Sequence, residues 1–151
     1  MLTEQMWSVF CKENGIDTDT PYEAWQFGDD PDKLAQLVME GKKTGTASSY
    51  DLYVLDPLEK LPEAGDYSIV LNGSNEPVCI IQTVKTYICR FMEVSEDHAK
   101  KEGEGDFSLS YWRKVHESFF KNEYKTYGLT FDVNTARVLC EEFQVVYKKL
   151  P

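Results

Sequence analysis

The stretch from Asp66 to Ile88 limits most strongly what this chain can fold into. Ile69-Val70-Leu71 is a β-rich run, Asn72-Gly73-Ser74-Asn75 is a turn signal, and Val78 to Ile88 is again β-rich. An Asn-Gly step between two such runs favours a tight chain reversal. Two long antiparallel strands are therefore expected here. The other segments must supply the strands and helices that cover them.

Those segments can be read in order. Residues 3–14 predict a helix, with Thr3 as cap, Glu4 at its positive end, and Met6, Trp7, Phe10 and Cys11 on one apolar face before Gly15. Residues 16–29 carry no periodic pattern and are expected to be irregular. Asp30-Pro31 reads as a cap followed by a first-turn proline, opening a helix that buries Leu34, Leu37 and Val38. Gly41 is the natural glycine just past its end. Residues 47–64 fit either a short helix or a strand, ended by Pro57 and Pro62. Ser95 can cap a short helix over 95–102, which stops at Gly103-Glu104-Gly105-Asp106. From Asp106 to Tyr124, Leu109, Trp112, His116, Phe119 and Phe120 recur at helical spacing. A last strand, Cys140 to Tyr147, alternates Phe143, Val145 and Tyr147. Helices interleaved with strands, a long hairpin and a closing strand predict an α+β fold, a small curved sheet or barrel flanked by helices.

Composition narrows the function classes. At 151 residues the chain can bury a true core as one unit. A net charge of -10 means that the surface as a whole repels nucleic acid, so any RNA contact must come from a local basic groove. Cys11, Cys79, Cys89 and Cys140 form no Cys-x-x-Cys pair, and only His98 and His116 could help them. Neither a disulfide framework nor a zinc site is expected, and no cofactor. The first residues lack a signal-peptide pattern and no segment reaches membrane-spanning length. A cytoplasmic, reduced setting follows as the expectation.

Gly41-Lys42-Lys43-Thr44-Gly45-Thr46-Ala47-Ser48 is basic and free of acids in this acidic chain. Its glycines permit close approach of a ligand, and Lys43 and Thr46 can act as cation and nucleophile or as two ligand donors. The plainer reading is that these lysines complement a helix C-terminus. On an extended strand Lys43 and Thr46 point to opposite faces, so a turn is needed to bring them together. His116 is either a satisfied core histidine or a proton shuttle at a cleft edge. Arg113 can contact phosphate or pair with a surface acid. Ser108 either caps the last helix or helps it hold an anion. Trp7, Trp25 and Trp112 can stack a base, though core packing accounts for each. The acidic run Glu102–Asp106 lacks EF-hand spacing and reads as a mobile rim.

Gly41-x-Lys43-x-x-Thr46, Ala99-x-x-Glu102-Gly103 and Gly105-Asp106-x-Ser108-Leu109-x-x-Trp112-Arg113-x-x-His116-x-x-Phe119-Phe120 together resemble the ASCH domain family. The hairpin before the last two and Cys140-Glu141-x-Phe143 after them fit as well, so the likeness covers roughly residues 34–147. The resemblance implies a PUA-like β-barrel over residues 31–151, with residues 1–30 as an N-terminal helical extension packed on it. It also implies RNA or a modified nucleoside as ligand, in a cleft where the Lys-Thr loop meets the later helices. One small bacterial branch resembles this chain at Lys43, Thr46 and Glu102 and hydrolyses the acetyl amide of N4-acetylcytidine; another has been linked to RNA cleavage. Under the first likeness Thr46 is the nucleophile, Lys43 its base and Glu102 the orienting carboxyl or acid. Gly41, Lys42, Thr44, Ser48, Ser108, Trp112, Arg113 and His116 are the further candidates for ligand contact.

One position departs from the family pattern. Where the Lys motif commonly ends in arginine, this chain has Ser48. Serine cannot fork onto phosphate as arginine does, which favours a nucleoside-sized ligand over an RNA backbone. A non-catalytic RNA-binding module and a protein-interaction domain using the 106–124 helix are the other readings the sequence supports.

Overall fold

The computed structural model describes residues 2–149. Among the described residues five strands form one mixed, curled sheet: β1 (Tyr22–Gln26), β2 (Gly45–Ser49), β3 (Tyr67–Leu71), β4 (Pro77–Arg90) and β5 (Arg137–Lys148). Their order is β1-β3-β4-β5-β2, with β1 parallel to β3 and the other neighbours antiparallel. The predicted hairpin is β3–β4, closed through Asn72, whose side chain accepts from the backbone N–H groups of Ser74 and Glu76. Register shifts near Ile80 and Thr83 bend β4 against β5, as bulges do. The sheet is thus an open half-barrel with β1 and β2 as its edges, and the fold is α+β as expected.

The α-helices of the described residues cover it: α1 (Thr3–Asn14), α2 (Pro31–Met39), α3 (Tyr50–Leu55), α4 (Glu96–Glu102) and α5 (Leu109–Thr126). Each helix packs where its apolar stripe finds strand residues of one parity. Met6, Trp7 and Phe10 of α1 lie on Ile69 and Ile80. Leu34, Ala35 and Val38 of α2 lie on the opposite parity, Val70, Cys79 and Ile81. Trp112, Phe120 and Tyr124 of α5 meet Val138 and Cys140. Among the described residues no helix is long and apolar enough to cross a membrane.

Three local expectations are corrected. Residues 22–26 are not irregular but form β1, an edge strand whose Glu23 and Ala24 face solvent and so lack an alternating apolar signal. The ambiguous stretch after Ala47 resolves into the end of β2 followed at once by α3, capped by Ser49. Thr3 is the first helical residue rather than the cap; the Leu2 N–H instead donates to the Gln5 side chain at 2.9 Å.

Candidate functional site: a buried charge network beneath an acidic trough

The chain between α2 and β2 is pinned before it reaches the sheet. The N–H groups of Lys42 and Lys43 donate to Leu37 O, the Thr44 N–H donates to Lys101 O at 2.7 Å, and Thr44 O accepts from Phe143 N. Opposite it, α4 ends at Gly103, whose φ of 70° is left-handed. A Cβ there would overlap the Lys42 carbonyl. Only glycine lets the end of α4 lie against this loop, and that contact places Glu102 beside Lys43.

Both residues are almost wholly buried, Lys43 at 2% exposure and Glu102 at 1%. The Lys43 ammonium donates to Glu102 Oε1 at 3.2 Å, to Glu104 Oε2 at 3.0 Å and to the Glu102 carbonyl at 3.5 Å. Those three acceptors account for its three N–H bonds. Glu102 Oε2 accepts from Trp112 Nε1 at 2.5 Å and faces His98 Nε2 at 2.7 Å. His116 Nε2 stands 3.4 Å from Glu102 Oε1, while its Nδ1 lies 2.9 Å from the Trp112 carbonyl. A carbonyl can only accept, so Nδ1 carries a proton, and an imidazolium satisfies both ends.

Burial alone would raise the Glu102 carboxyl. Lys43, His116 and His98 outweigh burial and hold it well below the usual carboxylate range. Burial likewise would lower His116, but the Glu102 charge prevails and the imidazole is raised. Glu102, Glu104 and His116 offer ligand atoms within 4.8 Å of one another. Both carboxylates of this set already hold the Lys43 ammonium.

This network floors a small pocket of about 60 Å³ that Thr46 and Phe27 also line. The pocket shares Phe27, Gly28, Thr46, Ala47 and Phe119 with a trough of about 650 Å³. The trough runs between the two sheet edges, with β1 on one side and Thr46, Ala47 and Ser48 of β2 on the other. Its volume is in the range of small-molecule sites. Among the described residues five carboxylate residues line it, Glu23, Glu59, Asp66, Glu123 and Glu141, against one cation, Lys60. Lys60 itself sits 3.8 Å from Asp66.

The structure therefore brings Lys43, Thr46, Glu102 and His116 to one pocket, with Trp112 held beneath by its bond to Glu102. Thr46 joins Lys43 because Lys43 lies in the turn before β2, not on the strand. Ser48 lines the trough with its Oγ buried. The other candidates lie elsewhere. Gly41 and Lys42 are exposed, Lys42 lying 3.7 Å from Glu40. The Thr44 hydroxyl turns to Lys101 O. Ser108 caps α5 by accepting from the Tyr111 N–H, and Arg113 donates to the Met92 carbonyl. The acidic run is not the mobile rim expected, since Glu102 is buried and Glu104 holds Lys43. Sequence reasoning missed Glu104, His98 and Glu141. His98 had one usable signal, its i,i+4 spacing from Glu102 on a helix.

The profile of the ASCH domain matches residues 23–147. The chain belongs to the ASCH domain family. Solved structures agree with that membership. The ASCH domain from Lactobacillus crispatus JV V101 is 29% identical, with a TM-score of 0.83 over 95% of each chain. A protein from Enterococcus faecalis V583 is 38% identical, with a TM-score of 0.86 over 96% of this chain and 88% of that one. A variant ASCH protein from Zymomonas mobilis, 9% identical with a TM-score of 0.52 over 82% of this chain and 70% of that one, shares the fold alone. No curated protein matches the sequence.

Proposed function

We propose that this ASCH domain binds a modified nucleoside in the trough and hydrolyses an exocyclic amide such as that of N4-acetylcytidine. One observation carries the reading. Lys43, Thr46 and Glu102 come from two distant segments and line one pocket, which shares Thr46 and four other lining residues with a ligand-sized trough. Thr46 is the nucleophile, at the junction of pocket and trough. Glu102 orients Lys43 and His116 and stays ionised. Lys43 is assigned as the charged donor to the amide carbonyl, not as the base, because its protons are all donated. Glu104, its partly exposed partner outside α4, is the one that a substrate carbonyl displaces.

The trough's acids favour an uncharged nucleoside over an RNA backbone, since each phosphate would enter beside like charge. The test is acetate release from N4-acetylcytidine by the wild-type protein and by Thr46→Ala and Lys43→Ala. Release by the wild type, with a loss of roughly 100-fold or more in each variant, is expected. Wild-type protein that binds the nucleoside and releases nothing would make the domain a binding module. Salt-sensitive binding of an oligoribonucleotide without nucleoside binding would restore the RNA reading.

A further inference from the structure

If Lys43 is spent as a donor, Thr46 needs another group to take its proton. Thr46 pairs with Glu141 across the β2–β5 ladder. Residues directly opposite project to the same face of a sheet, with Cβ atoms about 5 Å apart. Both side chains also line the trough. The neighbouring residue Glu142 belongs to the other face, where Lys101 Nζ donates to it at 3.2 Å. Glu141 is thus the carboxyl that the sheet places beside the Thr46 hydroxyl. We propose that Glu141 is the catalytic acid–base of this domain, exchanging the proton with Thr46 Oγ and the departing nitrogen. This rests on the amide-hydrolase reading above and adds a residue to it.

The step balances. Thr46 Oγ bonds to the amide carbonyl carbon as its proton passes to the Glu141 carboxylate. The carbon–nitrogen bond then breaks, and that proton passes from Glu141 to the departing nitrogen, leaving an ester on Thr46. Water adds to the ester carbon and gives a proton to Glu141. That proton returns to Thr46 Oγ as the carboxylic acid leaves.

The setting of Glu141 suits the task. Burial, opposed by a hydrogen bond from Thr83, together with the charges of Asp66 and Glu23, pushes the carboxyl up to about 7. The Thr83 hydroxyl donates to its Oε1 at 3.4 Å. The other titratable groups lining the trough are Glu59, Lys60, Glu123 and the phenols of Tyr22, Tyr53 and Tyr67. An acid–base that titrates near neutrality moves a proton both ways most efficiently.

The experiment is the pH profile of acetate release from N4-acetylcytidine for wild type, Glu141→Gln, Thr83→Ala and Thr46→Ala, with cytidine binding and melting temperature measured alongside. Wild-type kcat is expected to rise with pH along a limb near about 7. Glu141→Gln should lower kcat roughly 100- to 10,000-fold and flatten that limb, while cytidine affinity stays within about 3-fold. Thr83→Ala should keep most of kcat and move the limb upward, since the bond it removes is the one that lowers Glu141. Glu141→Gln protein that is folded and keeps wild-type kcat and limb, while Thr46→Ala is inactive, overturns the proposal and leaves the hydrolase reading standing. Wild-type protein that releases no acetate overturns both.

Discussion

At the scale of single residues, Glu102 decides the state of everything it touches. Its two oxygens face four donors, from Lys43, His116, His98 and Trp112. Glu102→Gln would leave the Lys43 ammonium with one carboxylate in a buried site, a change that costs about 3–5 kcal/mol in such settings. Urea unfolding at neutral pH checks this, and a cost below about 1 kcal/mol would mean that the pair is dispensable. The signs of the two shifts fix the pH window. Glu102 is depressed in the folded state, so its contribution is present above the ordinary carboxylate range and is lost as pH falls through its folded value. His116 is raised, so its contribution is full below the ordinary histidine value and is lost as pH rises through its folded value. NMR titration should find the His116 imidazole above 6.5 in the wild type and lower in Glu102→Gln.

Glu141 has the opposite sign and a different consequence. Its folded value of about 7 lies above the ordinary 4.5, so the folded state binds the extra proton between them. Stability from this group therefore falls as pH rises through that window. Removing the charge with Glu141→Gln is expected to raise the melting temperature at about pH 8 and change it little at about pH 4.5, with a gain of at most about 3 kcal/mol. A variant that is less stable at both pH values would sink this account. A carboxylate kept at a cost to stability fits the role argued for it, because catalytic groups are commonly held in settings that disfavour them.

At the scale of elements, legibility followed the strength of local signals. The Asn-Gly hairpin, the Asp30-Pro31 start of α2, the Ser95 cap and the α5 stripe all appear where periodicity and caps predict them. β1 was hidden because an edge strand with exposed Glu23 and Ala24 need not alternate. Lys43, Thr46 and Glu102 were legible as candidates through the family pattern. Their burial was not, since Glu102 opens an acidic run that reads as a mobile rim. What sets it beside Lys43 is the close approach of Gly103 to the Lys42 carbonyl, a packing contact that no local pattern encodes. Gly103→Ala is expected to lose at least about 1 kcal/mol from the left-handed backbone alone, plus the overlap with Lys42. Amide exchange should accelerate around Lys43 and Thr44 before it does in the β3–β4 hairpin. Uniform acceleration would mean that the α4 end is not what holds the loop.

At the scale of the molecule, curling of the sheet is what makes the site. A flat sheet in this strand order would hold β1 and β2 at opposite ends, whereas here both edges line one trough. The edges that a half-barrel leaves unpaired become ligand walls, and charge then selects what enters. Five carboxylate residues and one lysine line the trough within a chain of net charge -10. Cytidine should therefore bind more tightly than its 5′-monophosphate. A difference on the order of tenfold is what a few weakly screened repulsions of about 0.5 kcal/mol each would produce. Titration calorimetry with both ligands at low and high salt separates this from shape. Salt should leave the nucleoside unaffected and narrow the gap by strengthening the nucleotide, because screening weakens repulsion between partly exposed charges. Tighter binding of the monophosphate at low salt, weakening as salt rises, would require a cation within reach of the trough. In that case Lys60, released from Asp66, would be the first residue to substitute, and the ligand would be sought among nucleotides and RNA ends.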